Sequence, residues 1–285
     1  MDLSPTLFME LLRVYPFQPA TAWWRAFEVA QLLRHPIPAG LCLDVGCGDG
    51  LLTKILVSHA APAARTWVGV EPDPAEATLA RQGNFYGQVL SATADRIDWP
   101  DGQFDFALSN SVLEHVPRIE PVLQEVARVL KPGASFVITV PSARFHDCLR
   151  GPSVLRKFLL RQGRAQYLEQ IDRRLAHRNY WDEVQWRQAL SVTGFTYVES
   201  SSYLAAAEVR RWEAISNLTA GVLYELMGRR PPIEIQRGFG LRRAYVIPYW
   251  MARWLAALLG AAVRTDHEGL WGGLMMVARK DALGG

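Results

Sequence analysis

Three glycines at every second position, Gly46, Gly48 and Gly50, follow the apolar run Leu41–Cys42–Leu43–Asp44–Val45 and precede the helical run Leu51–Val57. That order reads as strand, tight turn, helix. Glycines let the backbone bend sharply and leave bare main chain for a ligand to lie against. The turn also opens onto a helix N-terminus, whose N–H groups favour the electronegative parts of a ligand. Asp44, at the strand end, can accept from an ammonium group. A second short strand, Val68–Gly69–Val70, ends in Glu71–Pro72–Asp73, placing an acid 27 positions after Asp44. A carboxylate there can take both hydroxyls of a ribose.

Nicotinamide and flavin enzymes use a similar glycine turn, so the segments downstream decide between readings. They are Ala92–Thr93–Ala94–Asp95, the strand ending Ala107–Leu108–Ser109–Asn110, a helix start at Ser111–Val112–Leu113–Glu114–His115, and Leu130–Lys131–Pro132–Gly133 turning into the strand Ser135–Val140. With this ordered set the chain resembles the class I S-adenosylmethionine-dependent methyltransferases. The likeness is to the branch with small-molecule substrates, such as the quinone-pathway and natural-product enzymes. It covers residues 38–142, with a return near 179–203 and 269–280. A nicotinamide oxidoreductase expects a glycine near position 51, where this chain has Leu51.

The resemblance implies an α/β fold with a Rossmann-like doubly wound sheet, mostly parallel with an antiparallel last strand, and helical insertions forming a lid. It implies S-adenosyl-L-methionine as cofactor and S-adenosyl-L-homocysteine as product. Asp44 with Gly46, Cys47, Gly48 and Gly50 then holds the methionine part, and Glu71 with Pro72 the ribose. Ala94 offers its backbone to the adenine edge, with Thr93 or Asp95 meeting the exocyclic amine; the family usually carries an acid where Thr93 stands. Asn110 and Ser111 fix the methionine end.

Methyl transfer from a sulfonium is an in-line displacement, so the protein mostly positions the acceptor and excludes water. A hydroxyl or an acidic carbon as acceptor also needs a base. His115 is the candidate, because a neutral imidazole accepts a proton near pH 7 and the Leu–Glu–His sequence also occurs in the quinone-pathway relatives. A histidine bonded to a neighbouring backbone carbonyl is the equal alternative. His146 and His177 are weaker candidates. No cluster has metal-ligand spacing, so no metal is expected. No nucleic-acid recognition module is apparent, so no nucleic acid is expected either.

The elements that must position these residues alternate. Strands at 41–45, 66–71, 86–91, 104–109 and 134–140 interleave with helices at 51–58, 74–82 and 118–130. Such alternation predicts parallel strands joined by right-handed crossovers, with ligands outside the carboxyl ends where strand order reverses. The predicted organisation is an N-terminal helical cap (1–37), the cofactor-binding core (38–142), a basic helical insertion (143–178), a core helix and edge strand (179–203), a second helical insertion (204–268), and the final strand and tail (269–285). In the cap, Thr6–Val14 and Ala20–Arg34 read as helices, with Trp23 and Trp24 either packed on the domain or covering the cofactor. Both insertions should sit over the methyl donor and build the acceptor pocket.

Charge divides along the same line. Residues 1–142 carry 10 basic and 15 acidic side chains, and residues 143–285 carry 21 and 13. An acidic first half suits a ligand with a sulfonium and an ammonium; a basic second half suits an anionic substrate or an anionic membrane surface. In residues 143–178, Leu155, Phe158 and Leu159 form an apolar face opposite Arg156, Lys157 and Arg161. Ala244–Val263 is long enough to cross a bilayer, yet Pro248 and Arg253 interrupt it. Trp250, Met251, Trp254, Leu255, Leu258 and Leu259 share one face instead. Arg229, Arg230, Arg237, Arg242 and Arg243 precede it with Glu234 the only acid among them. The favoured reading is a lid helix with this stripe buried in the protein; the alternative is a helix lying in an anionic interface.

The start, Met1–Asp2–Leu3–Ser4–Pro5, lacks the basic and apolar regions of a secretory signal. Cys42, Cys47 and Cys148 lack redox or metal spacing. The expected location is the cytoplasm, with contact at the inner face of the membrane as the alternative. The expected partner is a small-molecule acceptor, anionic or lipid-like, methylated on oxygen or carbon. A donor-binding sensor or scaffold without turnover is the rival outside enzymology.

Overall fold

The computed structural model describes residues 5–151, 163–228, 246–260 and 269–282, together with 234, 235 and 238. The Leu155–Leu159 face and the arginines at 229, 230, 237, 242 and 243 lie outside the described residues. The chain divides into two compact units.

The first unit comprises Gln31–Ser142, Asn179–Ser202 and Gly273–Gly285. It is built on a seven-stranded sheet of β1 (Gly40–Val45), β2 (Arg65–Val70), β3 (Gln88–Leu90), β4 (Phe104–Asn110), β5 (Leu130–Pro141), β6 (Phe195–Ala205) and β7 (Trp271–Lys280). Their order is β3-β2-β1-β4-β5-β7-β6. β1 to β5 pair in parallel and β7 runs antiparallel to β5. This is the Rossmann-like doubly wound arrangement expected from the sequence. β1 has β2 on one side and β4 on the other, so strand order reverses there. The carboxyl ends of β1 to β4 therefore share one edge, and the reversal opens a crevice at it.

Apolar burial explains the crossovers. The helix Ile119–Val129 buries Ile119, Val122, Leu123, Val126, Ala127 and Val129, a helical-period stripe laid on the sheet. It joins Leu43, Val68, Phe104, Phe136 and Ile138 in one core. The helix Pro74–Gln82 starts on Asp73, whose Oδ1 accepts from Ala75 N at 2.9 Å and Glu76 N at 3.2 Å, with Pro74 leading the first turn.

One local expectation is corrected. Residues 111–115 do not begin the helix after β4. Leu113–His115 is a separate 3-10 turn, and the helix starts only at Ile119. Pro117 is the physical reason. It has no N–H to give a helix and pushes Val116 out of the helical region, where Val116 adopts φ −78°, ψ 128°.

The second unit gathers Met1–Ala30, Ala143–Arg178 and Tyr203–Gly272, three stretches far apart in sequence. It is helical: Pro5–Val14, the first part of Pro19–Leu32, Phe145–Cys148, Arg164–Leu175, Ala206–Ser216, Val222–Leu226 and Tyr249–Gly260. A π-helical turn, Asn217–Gly221, joins two of them. Aromatic rings hold the unit together. Trp24, Phe145 and Trp212 meet pairwise at 5.6–5.8 Å, and Trp23 packs edge-on against Phe8 while its Nε1 donates to Glu208 O at 3.1 Å. A buried carboxylate acts as a node. Glu213 accepts from Tyr167 Oη at 2.6 Å and from the backbone of Arg150 and Gly151.

Within this unit the helix Tyr249–Gly260 is tied by Arg13, which accepts at its carbonyl from Ile247 N, and by Arg211, whose Nε donates to Leu259 O at 2.8 Å. Ala252 is fully buried, whereas Trp250, Trp254 and Leu258 are 68%, 62% and 59% exposed. The expected burial of the whole apolar stripe is therefore wrong. Residues 250, 254 and 258, four apart, turn outward together, while Ala252 is buried and Met251, Leu255 and Leu259 are half-buried. Among the described residues no helix is long and apolar enough to cross a membrane.

Candidate functional site

The site grows from the end of β1. Gly46, Gly48 and Gly50 all have left-handed φ, at 73°, 54° and 78°, a conformation that glycine takes without penalty. Their surroundings differ. A Cβ on Gly46 would stand 2.5 Å from Val112, and one on Gly50 2.7 Å from the Tyr86 ring. A Cβ on Gly48 would meet nothing within 4 Å. Two glycines thus let protein pack closely, and the middle one presents bare main chain to open space.

Carboxylates surround this turn. Asp44 is 2% exposed, and its Oδ2 accepts from Thr53 Oγ1 at 2.6 Å and Tyr86 Oη at 2.5 Å. Glu71, at the end of β2, accepts from Gly48 N at 2.9 Å through Oε2 and from Asp73 N at 2.9 Å through Oε1. One acid thereby fixes both the glycine turn and the cap of the next helix. The Cys47 thiol reports the resulting field: burial pushes its pKa up, and the charges of Asp44, Glu71 and Asp49 push it further. Burial, then Asp44, likewise raises the Tyr86 phenol, which keeps its proton and continues to donate.

The exit of β4 forms the opposite wall. Asn110 is buried, and its Oδ1 accepts from Thr139 Oγ1 at 2.8 Å. Ser111 takes φ 50°, left-handed and strained for a serine, and its N–H donates to Thr139 O at 2.9 Å. Val112 follows and rests on Gly46. Asp44, Gly46, Cys47, Gly48, Gly50, Glu71, Asn110 and Ser111 are therefore brought to one place. Thr93, Ala94 and Asp95 follow β3 on the same sheet edge; Thr93 and Asp95 are exposed and Ala94 packs partly against the core. Pro72 is exposed beside Glu71.

His115 ends the 3-10 turn, its ring 40% exposed and its Nε2 3.8 Å from the buried Glu114 carboxylate. The turn is held by a residue sequence reasoning missed. Asn179 Nδ2 donates to Leu113 O at 3.2 Å and Val116 O at 2.7 Å, and Asn179 N donates to Glu114 O. Tyr86 and Thr53 were missed as well; nothing local marks a tyrosine 42 positions away as the donor to Asp44. His146 lies in the helical unit, its Nε2 2.8 Å from Asp172 Oδ1, and His177 lies there beside the Phe145 ring.

A family model described as a methyltransferase domain matches residues 26–200, more than half of the chain. The chain belongs to the methyltransferase-domain family. Among curated relatives, a sterol 4-C-methyltransferase of Caenorhabditis elegans is 30% identical over 101 residues, covering 34% of this chain and 30% of the relative. The mitochondrial ubiquinone biosynthesis O-methyltransferase of Mus musculus is 32% identical over 112 residues, covering 36% and 29%. The chain spans less than half the length of the first curated relatives it matches. A structure titled a putative sarcosine dimethylglycine methyltransferase, from Galdieria sulphuraria, superposes with a TM-score of 0.54 at 17% identity, covering 91% of this chain and 84% of that one. It shares the fold.

The donor of this family is S-adenosylmethionine, and the residues present fit it. The open main chain at Gly48 gives a ligand room against the turn. The negative field of Asp44, Glu71 and Asp49 suits a ligand carrying a sulfonium and an ammonium.

Proposed function

We propose that this chain is an S-adenosylmethionine-dependent methyltransferase that methylates a small-molecule acceptor on oxygen or carbon. The observation that carries the reading is the Gly48 main chain, open to space and hydrogen-bonded to the acid at the end of β2. When bound, the donor supplies an electrophilic methyl group on its sulfonium. Asp44 and the turn through Gly46, Cys47, Gly48 and Gly50 hold the methionine part, with Asn110 and Ser111 on its other side. Glu71 and Pro72 hold the ribose, and Thr93, Ala94 and Asp95 hold the adenine.

The chain's own work is positioning. Thr53 and Tyr86 fix the Asp44 carboxylate, so the charge under the turn needs no rearrangement on binding. His115 takes the proton from an acceptor hydroxyl or acidic carbon at a ring nitrogen, with the Glu114 carboxylate 3.8 Å away to support the imidazolium. Asn179 holds the turn that presents it. Incubating the protein with methyl-labelled donor and a host metabolite extract tests the reading. Label appearing on a metabolite supports it; donor binding with no labelled product makes the chain a sensor or scaffold.

One observation favours a membrane-presented acceptor as a second reading. Trp250, Trp254 and Leu258 leave an apolar strip in water on a helix next to an arginine-rich stretch of sequence. Tryptophan and arginine together suit an anionic interface. Co-sedimentation with phosphatidylglycerol vesicles supports this reading, and absence of the protein from the pellet removes it.

A further inference from the structure

The helical unit contains a cavity of about 410 Å³ that the donor reading does not use. Its size falls in the range of small-molecule sites. Phe17, Leu218, Val222, Leu223, Leu226 and Ile235 give it apolar walls, and Gln18, Thr21, Thr219 and Arg174 supply the polar groups. No aspartate or glutamate is among its described lining residues. Among the described lining residues, the charged group is the Arg174 guanidinium.

Arg174 is only 9% exposed, and its Nη2 donates to the buried Ser216 Oγ at 2.9 Å. Gly221 makes room for it: a Cβ there would stand 2.7 Å from Arg174 Nη1. Gly221 closes the π-helical turn Asn217–Gly221, which contributes Leu218, Thr219 and Ala220 to the cavity wall. Such turns insert one extra residue into a helix and recur at functional sites. At the mouth, Leu218 and Leu226 are 79% and 77% exposed and Val222 is 47% exposed. Large apolar side chains left in water around a cavity are the surface that a ligand's apolar body covers.

We propose that this cavity binds an amphipathic anion, with its apolar chain along the Leu218–Leu226 side and its carboxylate or phosphate head on Arg174. A guanidinium carries five N–H donors, so Arg174 can take such a head while keeping its bond to Ser216. The methyl donor is a poor match, because its sulfonium and ammonium would face a cation here. This ligand is a different molecule, and its binding requires no donor.

Calorimetry on the full chain tests the proposal with octanoate and octyl phosphate as probes and octanol as the neutral control. One or both anions should bind saturably, and octanol at least about tenfold more weakly, as loss of a charge-assisted contact entails. Which head binds more tightly separates a fatty-acid source from a lipid-phosphate source. Arg174→Gln should erase the preference for anions. Val222→Trp, at the rim where folding is least at risk, should abolish binding of all three while the circular dichroism spectrum stays unchanged. Octanol binding as tightly as both anions, no binding of either anion, or full anion binding by Val222→Trp would each overturn the proposal.

Discussion

The glycine turn of the sheet unit and the cavity of the helical unit meet solvent in opposite ways. At Gly48 the chain exposes main chain and surrounds it with carboxylates. At the cavity mouth it exposes leucines, and the charged group among the described lining residues is the buried Arg174 guanidinium. The glycines and acids of the first surface are near neighbours in sequence at the ends of the adjacent strands β1 and β2. The second needs Phe17, Arg174, Leu218 and Ile235, which only the tertiary fold brings together. Sites made of backbone and caps tolerate little variation in spacing, whereas side-chain cavities can be built from scattered positions.

Substitutions can break that contrast, beginning with the largest expected effect. Glu213→Ala leaves the Tyr167 hydroxyl and two backbone N–H groups without their acceptor. It should cost at least about 3 kcal/mol in denaturant unfolding. Donor binding should persist near the wild-type affinity; parallel loss of both would mean the two units are not energetically separate. Tyr86→Phe removes the 2.5 Å bond to Asp44 and should cost about 1.5–3 kcal/mol, as hydrogen bonds to charged groups do. Donor affinity should fall with it, and unchanged affinity would detach Asp44 from the site.

Asn179→Ala strips the carbonyls of Leu113 and Val116 of a donor, a loss of about 1 kcal/mol. If His115 is the base, this variant and His115→Ala should both lower turnover more than donor affinity. A rate unaltered in His115→Ala would return that residue to a purely structural role. The smallest effect belongs to Asp105, whose Oδ1 accepts from Lys131 and whose Oδ2 accepts from Leu41 N at the start of β1. Lys131, then the backbone donor, hold its carboxyl below the ordinary value against the opposing effect of burial. Its contribution is therefore complete above the ordinary carboxylate pKa and is lost as pH falls through the lowered one. Asp105→Asn should cost less than about 1 kcal/mol at neutral pH, and its stability should fall less steeply than the wild type's on acidification.

The sheet and its turn were readable because each depends on short-range requirements. Positive φ needs Gly46, Gly48 and Gly50, a helix start needs Asp73–Pro74, and alternation of apolar runs dictates parallel strands. The helix expected over 118–130 forms at Ile119–Val129, but the helix start expected at 111–115 is a separate 3-10 turn, cut off by Pro117. The reading failed again at Tyr249–Gly260, because hydrophobicity along a helix cannot say which neighbours exist to cover it. Tyr86, Thr53 and Asn179 carry no local signature, since each acts through a partner distant in sequence or on another element.

The central claim is that the bare main chain at Gly48 is where the donor lies. Calorimetric titration of S-adenosylmethionine into the wild type and Gly48→Arg measures it directly, with circular dichroism confirming that both are folded. The account predicts saturable binding to the wild type and none to the variant. A folded Gly48→Arg protein that binds the donor with unchanged affinity would contradict it.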